Sequence, residues 1–304
     1  MLAISTPAVT PATALAAGAV LALTIGNPAP KLSASAGQWL LQAAVVGLGF
    51  GMPLTAVIAA GRSGVGYTVA GVATAIILGL LLGRWLKVEG QTSVLITAGT
   101  SICGGSAIAA VGPAIGARAE AMGVSLATVF VLNAVALYLF PAIGHWLHLS
   151  QHQFAIWAAV AIHDTSSVVG AAAGYGPVAL EQATVLKLAR ALWILPMTLV
   201  AAAVARRRDP LQSGSSRLPI PWFIGLFVLA AVSRSILPAT AAPALDGAVR
   251  LARWMLVLTL FLIGAGLTRA TLRSVGTRPL VQGLLLWIAV ASLSLLVVWR
   301  WVGL

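Results

Sequence analysis

Apolar runs of about 20 residues recur along the whole chain, parted by short polar connections, as in a polytopic helical membrane protein. Ten spans are expected, at approximately 9–26, 37–60, 67–85, 93–112, 122–142, 153–173, 180–205, 219–238, 248–268 and 279–301. The strict alternation of a membrane β-barrel is absent. Short connections make residues 1–304 one all-α transmembrane bundle. The most polar connector, ARRRDPLQSGSSRLPIP at about 205–221, reads as a cytoplasmic loop, with a hinge as the alternative. MLAISTPAVTPATALAAG lacks the positive n-region of a signal peptide and reads as a short tail running into the first span.

Two spans break the apolar pattern. In the fourth, Thr100 to Ser106 (TSICGGS) packs hydroxyls and glycines where a lipid-facing helix would carry Leu or Val. Gly104 and Gly105 each lower helix propensity by roughly 1 kcal/mol relative to Ala. An interruption there would open a half-helix N-terminus, an anion site made of backbone N–H groups with Ser101, Cys103 and Ser106 around it. Close helix packing through small residues is the alternative.

The sixth span contains His163-Asp164-Thr165-Ser166-Ser167. Asp164 is the only one of six acidic residues inside an apolar stretch; Glu89, Glu120, Glu181, Asp209 and Asp246 lie in or beside connections. An ionisable group at that depth faces a cavity, a partner or a transported solute. His163 and Asp164 are therefore candidates for carrying a coupling ion, and Thr165, Ser166 and Ser167 for lining a polar site. Lys187 and Arg190 share a helix face in the seventh span and are candidate counter-charges for Asp164. Snorkelling of Lys187 to the interface competes with that reading. Asn133 reads as glue between helices. His145, His148 and His152 would share a face of a helical loop; an interfacial helix is expected there and no metal site.

Composition narrows the class. The chain is 60% hydrophobic and 8% charged with a mean hydropathy of +1.01, far from a soluble domain. The net charge of +12 raises nucleic acid as a partner, but the basic residues gather at helix ends without interleaved aromatics. Lys31, Arg84, Lys87, Arg206, Arg207, Arg208, Arg217, Arg269, Arg273 and Arg278 fall on odd-numbered connections, which places both termini outside the cytoplasm. The single cysteine, Cys103, excludes an internal disulfide. Trp residues near span ends fit an interfacial belt. No nucleotide-binding or hydrolase motif is present, so no enzyme activity and no cofactor are expected.

Two internal echoes suggest a repeat. GLGFGMPLTAVIAAG (47–61) resembles LIGAGLTRATLRSVG (262–276), in opposite directions, as inverted repeats require. SICGGSAIAAVGPAIG (101–116) resembles AIHDTSSVVGAAAGYG (161–176), yet span parity gives these the same direction. A simple five-plus-five inverted duplication does not reconcile both.

GLGFGMPLTAVIAAG, TSICGGSAIAAVGP, AIHDTSSVV, KLARALWILP and PWFIGLFVLAAVSRSILP together resemble the sulfate exporter family of YeiH-type bacterial inner-membrane proteins, over nearly the whole chain. The resemblance implies a secondary transporter related in fold to bile-acid/sodium symporters and cation–proton antiporters, with two broken helices crossing at mid-membrane around the solute. Two departures stand out: one span rather than two precedes Gly26-Asn27-Pro28, and His163-Asp164 replaces the family's His-Glu. The expectation is a secondary active transporter of a small anion, with H+ or Na+ as coupling ion, the bilayer as surroundings and a homodimer left open. An intramembrane enzyme using His163 and Asp164, or a passive anion channel, is the alternative.

Overall fold

The computed structural model describes residues 11–208, 222–269 and 276–302. Most of the connector at 205–221, the tail before residue 11 and positions 270–275 of the second glycine echo lie outside them. The elements are α1 (Pro11–Thr24), α2 (Pro30–Gly49), α3 (Leu54–Trp85), α4 (Gly90–Ser101), α5 (Gly105–Ala114), α6 (Ala119–Trp146) and α7 (Gln151–Ala161). Then follow α8 (Thr165–Tyr175), α9 (Pro177–Ala191), α10 (Ile194–Arg208), α11 (Trp222–Ile236), α12 (Ala242–Ala265) and α13 (Thr277–Trp301). Among the described residues no strand occurs, and five stretches are each long and apolar enough to cross a membrane: Gly66–Trp85, Glu120–Trp146, Pro177–Arg207, Ala239–Ala265 and Thr277–Arg300.

The expected fourth and sixth spans are each broken into two shorter helices. The first break falls at residues 102–104 and the second at 162–164. Beyond each break the chain turns back. Gln91, at the start of α4, donates to the Gly116 carbonyl at 3.3 Å and accepts from the Arg118 N–H at 3.0 Å. Glu89 pairs with Arg118 at 3.2 Å. A continuous helix would hold residues 91 and 116 roughly 37 Å apart at about 1.5 Å per residue. Gln151, at the start of α7, likewise accepts from the N–H groups of Val178 and Ala179, beyond the end of α8. Tyr175 also donates to the Leu149 carbonyl at 2.6 Å. Both pairs therefore fold back as helical hairpins, in place of the expected broken helices that cross.

Local sequence accounts for each hairpin. Glu89 caps α4 by accepting from the Thr92 N–H, and Ser150 caps α7 in a reciprocal box with Gln153. At the first tip Gly104 adopts φ +64°, a conformation open to glycine and strained for other residues. The 28-residue α6 joins the end of the first hairpin to the start of the second, so their mouths lie at opposite ends of it. Fold-back puts Arg118 on the face that holds Glu89 and the end of α3, not on the opposite face that span counting gave it.

The helices divide into two groups. α1, α2, α11 and α12 pack on one another, and α3 to α10 pack with α13. α1 and α12 approach backbone to backbone at Gly18 and Gly264, where an added Cβ would overlap a carbonyl of the facing helix. The groups meet chiefly where α8 touches α1 and α12 and where α3 touches α11. Phe140, Phe154 and Trp157 fill the space between α6 and the second hairpin, with Phe140 stacked on Trp157 at 4.4 Å.

Candidate solute site at the hairpin tips

Each tip has a helix C-terminus on one side and a helix N-terminus on the other, so its backbone presents orphan carbonyls and orphan N–H groups. The carbonyls are taken by two fully buried cations of α9. Arg190 donates to Ser101 O and Val160 O, both at 2.7 Å, and to Thr100 O at 3.4 Å, and so ties the two hairpins together. Lys187 donates to Ile162 O at 2.7 Å and to Ala159 O at 3.4 Å. Positive charge at helix C-termini is favourable. These bonds replace the expected roles of both residues: neither pairs with the Asp164 carboxylate, and Lys187 does not snorkel.

The N-termini differ. Asp164 caps α8 with its own carboxylate, which accepts from the Ser166 and Ser167 N–H groups at 3.1 and 3.4 Å and from the Ser166 hydroxyl. Gly104 gives α5 no side-chain cap. The two tips touch, since a Cβ added at Gly104 would lie 3.3 Å from Asp164 Cβ and 3.3 Å from Val129 Cγ1 of α6.

The remaining candidates distribute around this contact. Ser101 is fully buried in the last turn of α4, before the first break, and its hydroxyl donates to Thr97 O at 2.6 Å. It does not serve the N-terminus of α5 as expected, because a hydroxyl in the last turn of a helix bonds the preceding turn. Cys103 is buried within reach of the Ser106 hydroxyl and the Ala107 N–H. Ser106 is exposed on the first turn of α5 beside Gly105. Asp164 is partly exposed, whereas Thr165, Ser166 and Ser167 are buried. His163 is fully buried; its backbone N–H donates to Asn133 Oδ1 of α6 at 3.2 Å, and neither ring nitrogen has a hydrogen-bond partner among the described residues.

Away from the tips, His145 stacks on Tyr175 at 4.3 Å and His152 Nδ1 lies 2.6 Å from Gln182 Oε1. These histidines brace the mouth of the second hairpin. Among the described residues no three His, Cys, Asp or Glu side chains gather as a metal cluster.

The paired glutamines at the mouths were not singled out from the sequence, although a signal exists. Gln91 and Gln151, Gly104 and Asp164, and Gly116 and Gly176 are each sixty positions apart, the register of the second sequence echo. Asn133, read from the sequence as glue between helices, meets the second tip by accepting from the His163 N–H.

A model of the family described as conserved hypothetical protein 698 matches residues 5–283. A UPF0324 membrane protein of Bdellovibrio bacteriovorus is 50% identical over 289 residues, covering 95% of this chain and 89% of that protein. A UPF0324 membrane protein of Bacteroides thetaiotaomicron is 48% identical over 290 residues, 95% and 86% of the two chains. One of Porphyromonas gingivalis is 49% identical over 288 residues, 94% and 86%. No solved structure matches.

Proposed function

The chain belongs to the UPF0324 family of multi-pass membrane proteins, and from that premise we propose that it is a secondary active transporter of a small anion. The observation that carries the reading is the contact of two re-entrant tips whose C-terminal ends are bonded by buried cations. What remains near the contact is the uncapped N-terminus of α5, with Cys103, Gly104, Gly105 and Ser106, beside the carboxylate-capped N-terminus of α8. The first is a receptor for an oxyanion; the second holds a tethered carboxylate in the equivalent position. A small sulfur oxyanion, sulfonate or carboxylate is the solute class this geometry suits, sulfate among them.

In this reading the hairpins are the two halves of an inverted arrangement entering from opposite membrane faces, and the ten apolar stretches are eight crossings plus two re-entrant hairpins. Re-entry also dissolves the parity conflict of the second sequence echo. Asp164 carries the coupling ion. A proton fits better than Na+, because Lys187 and Arg190 already bond the tip carbonyls that would otherwise coordinate a metal cation. Alternating access moves the group containing the hairpins against α1, α2, α11 and α12, whose surfaces meet mainly at α8 and α3.

The test is uptake of radiolabelled sulfate, methanesulfonate or acetate into proteoliposomes. The reading expects saturable flux that accumulates against a gradient when a pH difference is imposed. Non-saturating flux that only equilibrates would make the protein a channel. Absence of flux for every anion would sink the transporter reading.

A further inference from the structure

Three polar side chains of the tip region are buried with hydrogen-bonding atoms that have no partner among the described residues: Thr100 Oγ1, Asn133 Nδ2 and both ring nitrogens of His163. Thr100 and His163 are fully buried and Asn133 is 3% exposed. Buried polar groups in folded proteins are almost always bonded, so three such residues call for an explanation.

Asn133 and His163 are joined directly, and Thr100 stands near the end of α4 at the first tip. Asn133 lies one turn beyond Val129, and Val129 fits between the tips: a Cβ added at Gly104 would meet it at 3.3 Å, and one at Gly99, beside Thr100, at 3.2 Å. Asn133 Oδ1 is fixed as the acceptor of the His163 N–H, because an amide nitrogen cannot take that bond. Its Nδ2 group therefore carries two donors to spare. A neutral His163 ring adds one donor and one acceptor, so the Asn133–His163 pair holds more free donors than free acceptors. Lys187, bonded to the carbonyl of Ile162, and Arg190, bonded to that of Thr100, add positive charge on the same side. Donors in excess, flanked by cations whose carbonyl partners are already engaged, suit an anion and disfavour a metal cation.

We propose that Thr100, Asn133 and His163 form a second, dry subsite for the transported oxyanion, closed in this conformation, with Asn133 Nδ2 as its principal donor. This inference rests on the transporter reading and changes the part played by His163, from proton carrier to solute ligand. The solute class follows: an anion with at least two acceptor oxygens, so that one engages α5 and another the Asn133 amide. A halide, with a single acceptor centre, cannot bridge the two.

Sulfate and methanesulfonate titrated onto purified protein in detergent test it, by thermal shift and calorimetry, with chloride as the comparison. The wild type is expected to bind both oxyanions, and Asn133→Ala to bind them about tenfold or more weakly. Thr198→Val, which removes a buried unpartnered hydroxyl of α10 outside the subsite, is expected to bind as the wild type does. Unchanged oxyanion affinity in Asn133→Ala, or an equal loss in Thr198→Val, overturns the subsite. If the wild type binds no oxyanion, the transporter reading falls and the subsite with it.

A variant that fails to fold does not end the test. In wild-type protein with 15N-labelled histidine, the resonance missing from His163→Gln is expected to move on adding sulfate and to stay in place with chloride. A resonance unmoved by a saturating oxyanion overturns the proposal.

Discussion

The two hairpins share a plan and differ most at the tip. Both open with a capped helix, both are closed at the mouth by a glutamine, and both give up their tip carbonyls to α9. At the N-cap of the returning helix, the first has Gly104 and the second Asp164. A helix N-terminus carries roughly half a positive charge and unpaired donors whichever residue precedes it. The second hairpin meets that demand internally, with its own carboxylate. The first leaves it to whatever reaches the tip. On the proposed transporter reading, the same hairpin plan supplies a receptor at one tip and an ion carrier at the other, and the N-cap residue is what separates them.

The largest expected effect breaks what the hairpins share. Arg190→Met removes donors from Thr100 and Ser101 of one hairpin and Val160 of the other. Each unmatched buried carbonyl costs about 1–3 kcal/mol, so a loss of about 3 kcal/mol or more is expected. Lys187→Met strips only the second hairpin, at Ala159 and Ile162, and should lose less, about 2 kcal/mol. Denaturation in detergent ranks the two. Equal losses, or losses under about 1 kcal/mol in both, would show that Arg190 does not bridge the hairpins.

Exchanging the tip residues sharpens the contrast. Gly104→Ala forces a side chain into φ +64° and against Asp164 and Val129, for about 1–3 kcal/mol of destabilisation. Asp164→Asn should leave stability within about 0.5 kcal/mol, since Asn caps a helix as well as Asp does. The same Asn variant should retain anion binding and exchange yet lose accumulation driven by a pH gradient. Undiminished pH-driven uptake would make Asp164 a structural cap and no more.

The sequence made the tips legible and the hairpins illegible, for a physical reason. Paired glycines weaken a helix and a carboxylate inside an apolar stretch is costly without a special surrounding, so these clusters draw attention to the tips whichever way the chain then runs. The breaks at residues 102–104 and 162–164 fall beside the residues that signal them. Whether the chain then continues or turns back depends on contacts between residues some 25 positions apart, such as Gln91 with Gly116. No local period encodes those contacts. Lys187 and Arg190 were misread for a related reason. From sequence the nearest negative partner is Asp164, whereas helix-end carbonyls, which carry no formal charge, are visible only once the helices end. Ser106 and Ser101 show the same limit: their order along the chain is plain, but which side of a break each serves depends on where the helix stops.

Ser106→Leu tests the receptor half alone. Ser106 is exposed on the first turn of α5, so stability should change by no more than about 0.5 kcal/mol, while the bulk beside Gly105 abolishes anion binding. Calorimetry with sulfate on folded variant checks it. Unchanged affinity would move the solute away from the first tip and leave the comparison of N-caps without its functional half.

The smallest expected effect separates the mouths. The first hairpin begins with a titratable cap, Glu89, and the second with Ser150, which does not titrate near neutrality. Partial burial raises the Glu89 pKa, but hydrogen bonds from the Thr92 hydroxyl and N–H and from Arg118 outweigh it, leaving the carboxyl below its ordinary value of 4.5. A carboxylate depressed on folding stabilises the fold fully above its unfolded pKa, and that stability disappears as pH falls through the folded value. Acid below about pH 4.5 should therefore loosen the mouth of the first hairpin and spare the second. Glu89 and Arg118 are 43% and 64% exposed at their side chains, so solvent screening keeps the effect to about a few tenths of a kcal/mol. Hydrogen exchange at the amides of Thr92 and Arg118, compared with those of Gln153 and Val178 between pH 6 and pH 3, resolves a change of that size. After correction for intrinsic exchange, protection should fall at the first pair only, and Glu89→Gln should remove its pH dependence. Parallel losses at both mouths would assign the acid response to the fold as a whole, and the two mouths would then be equivalent.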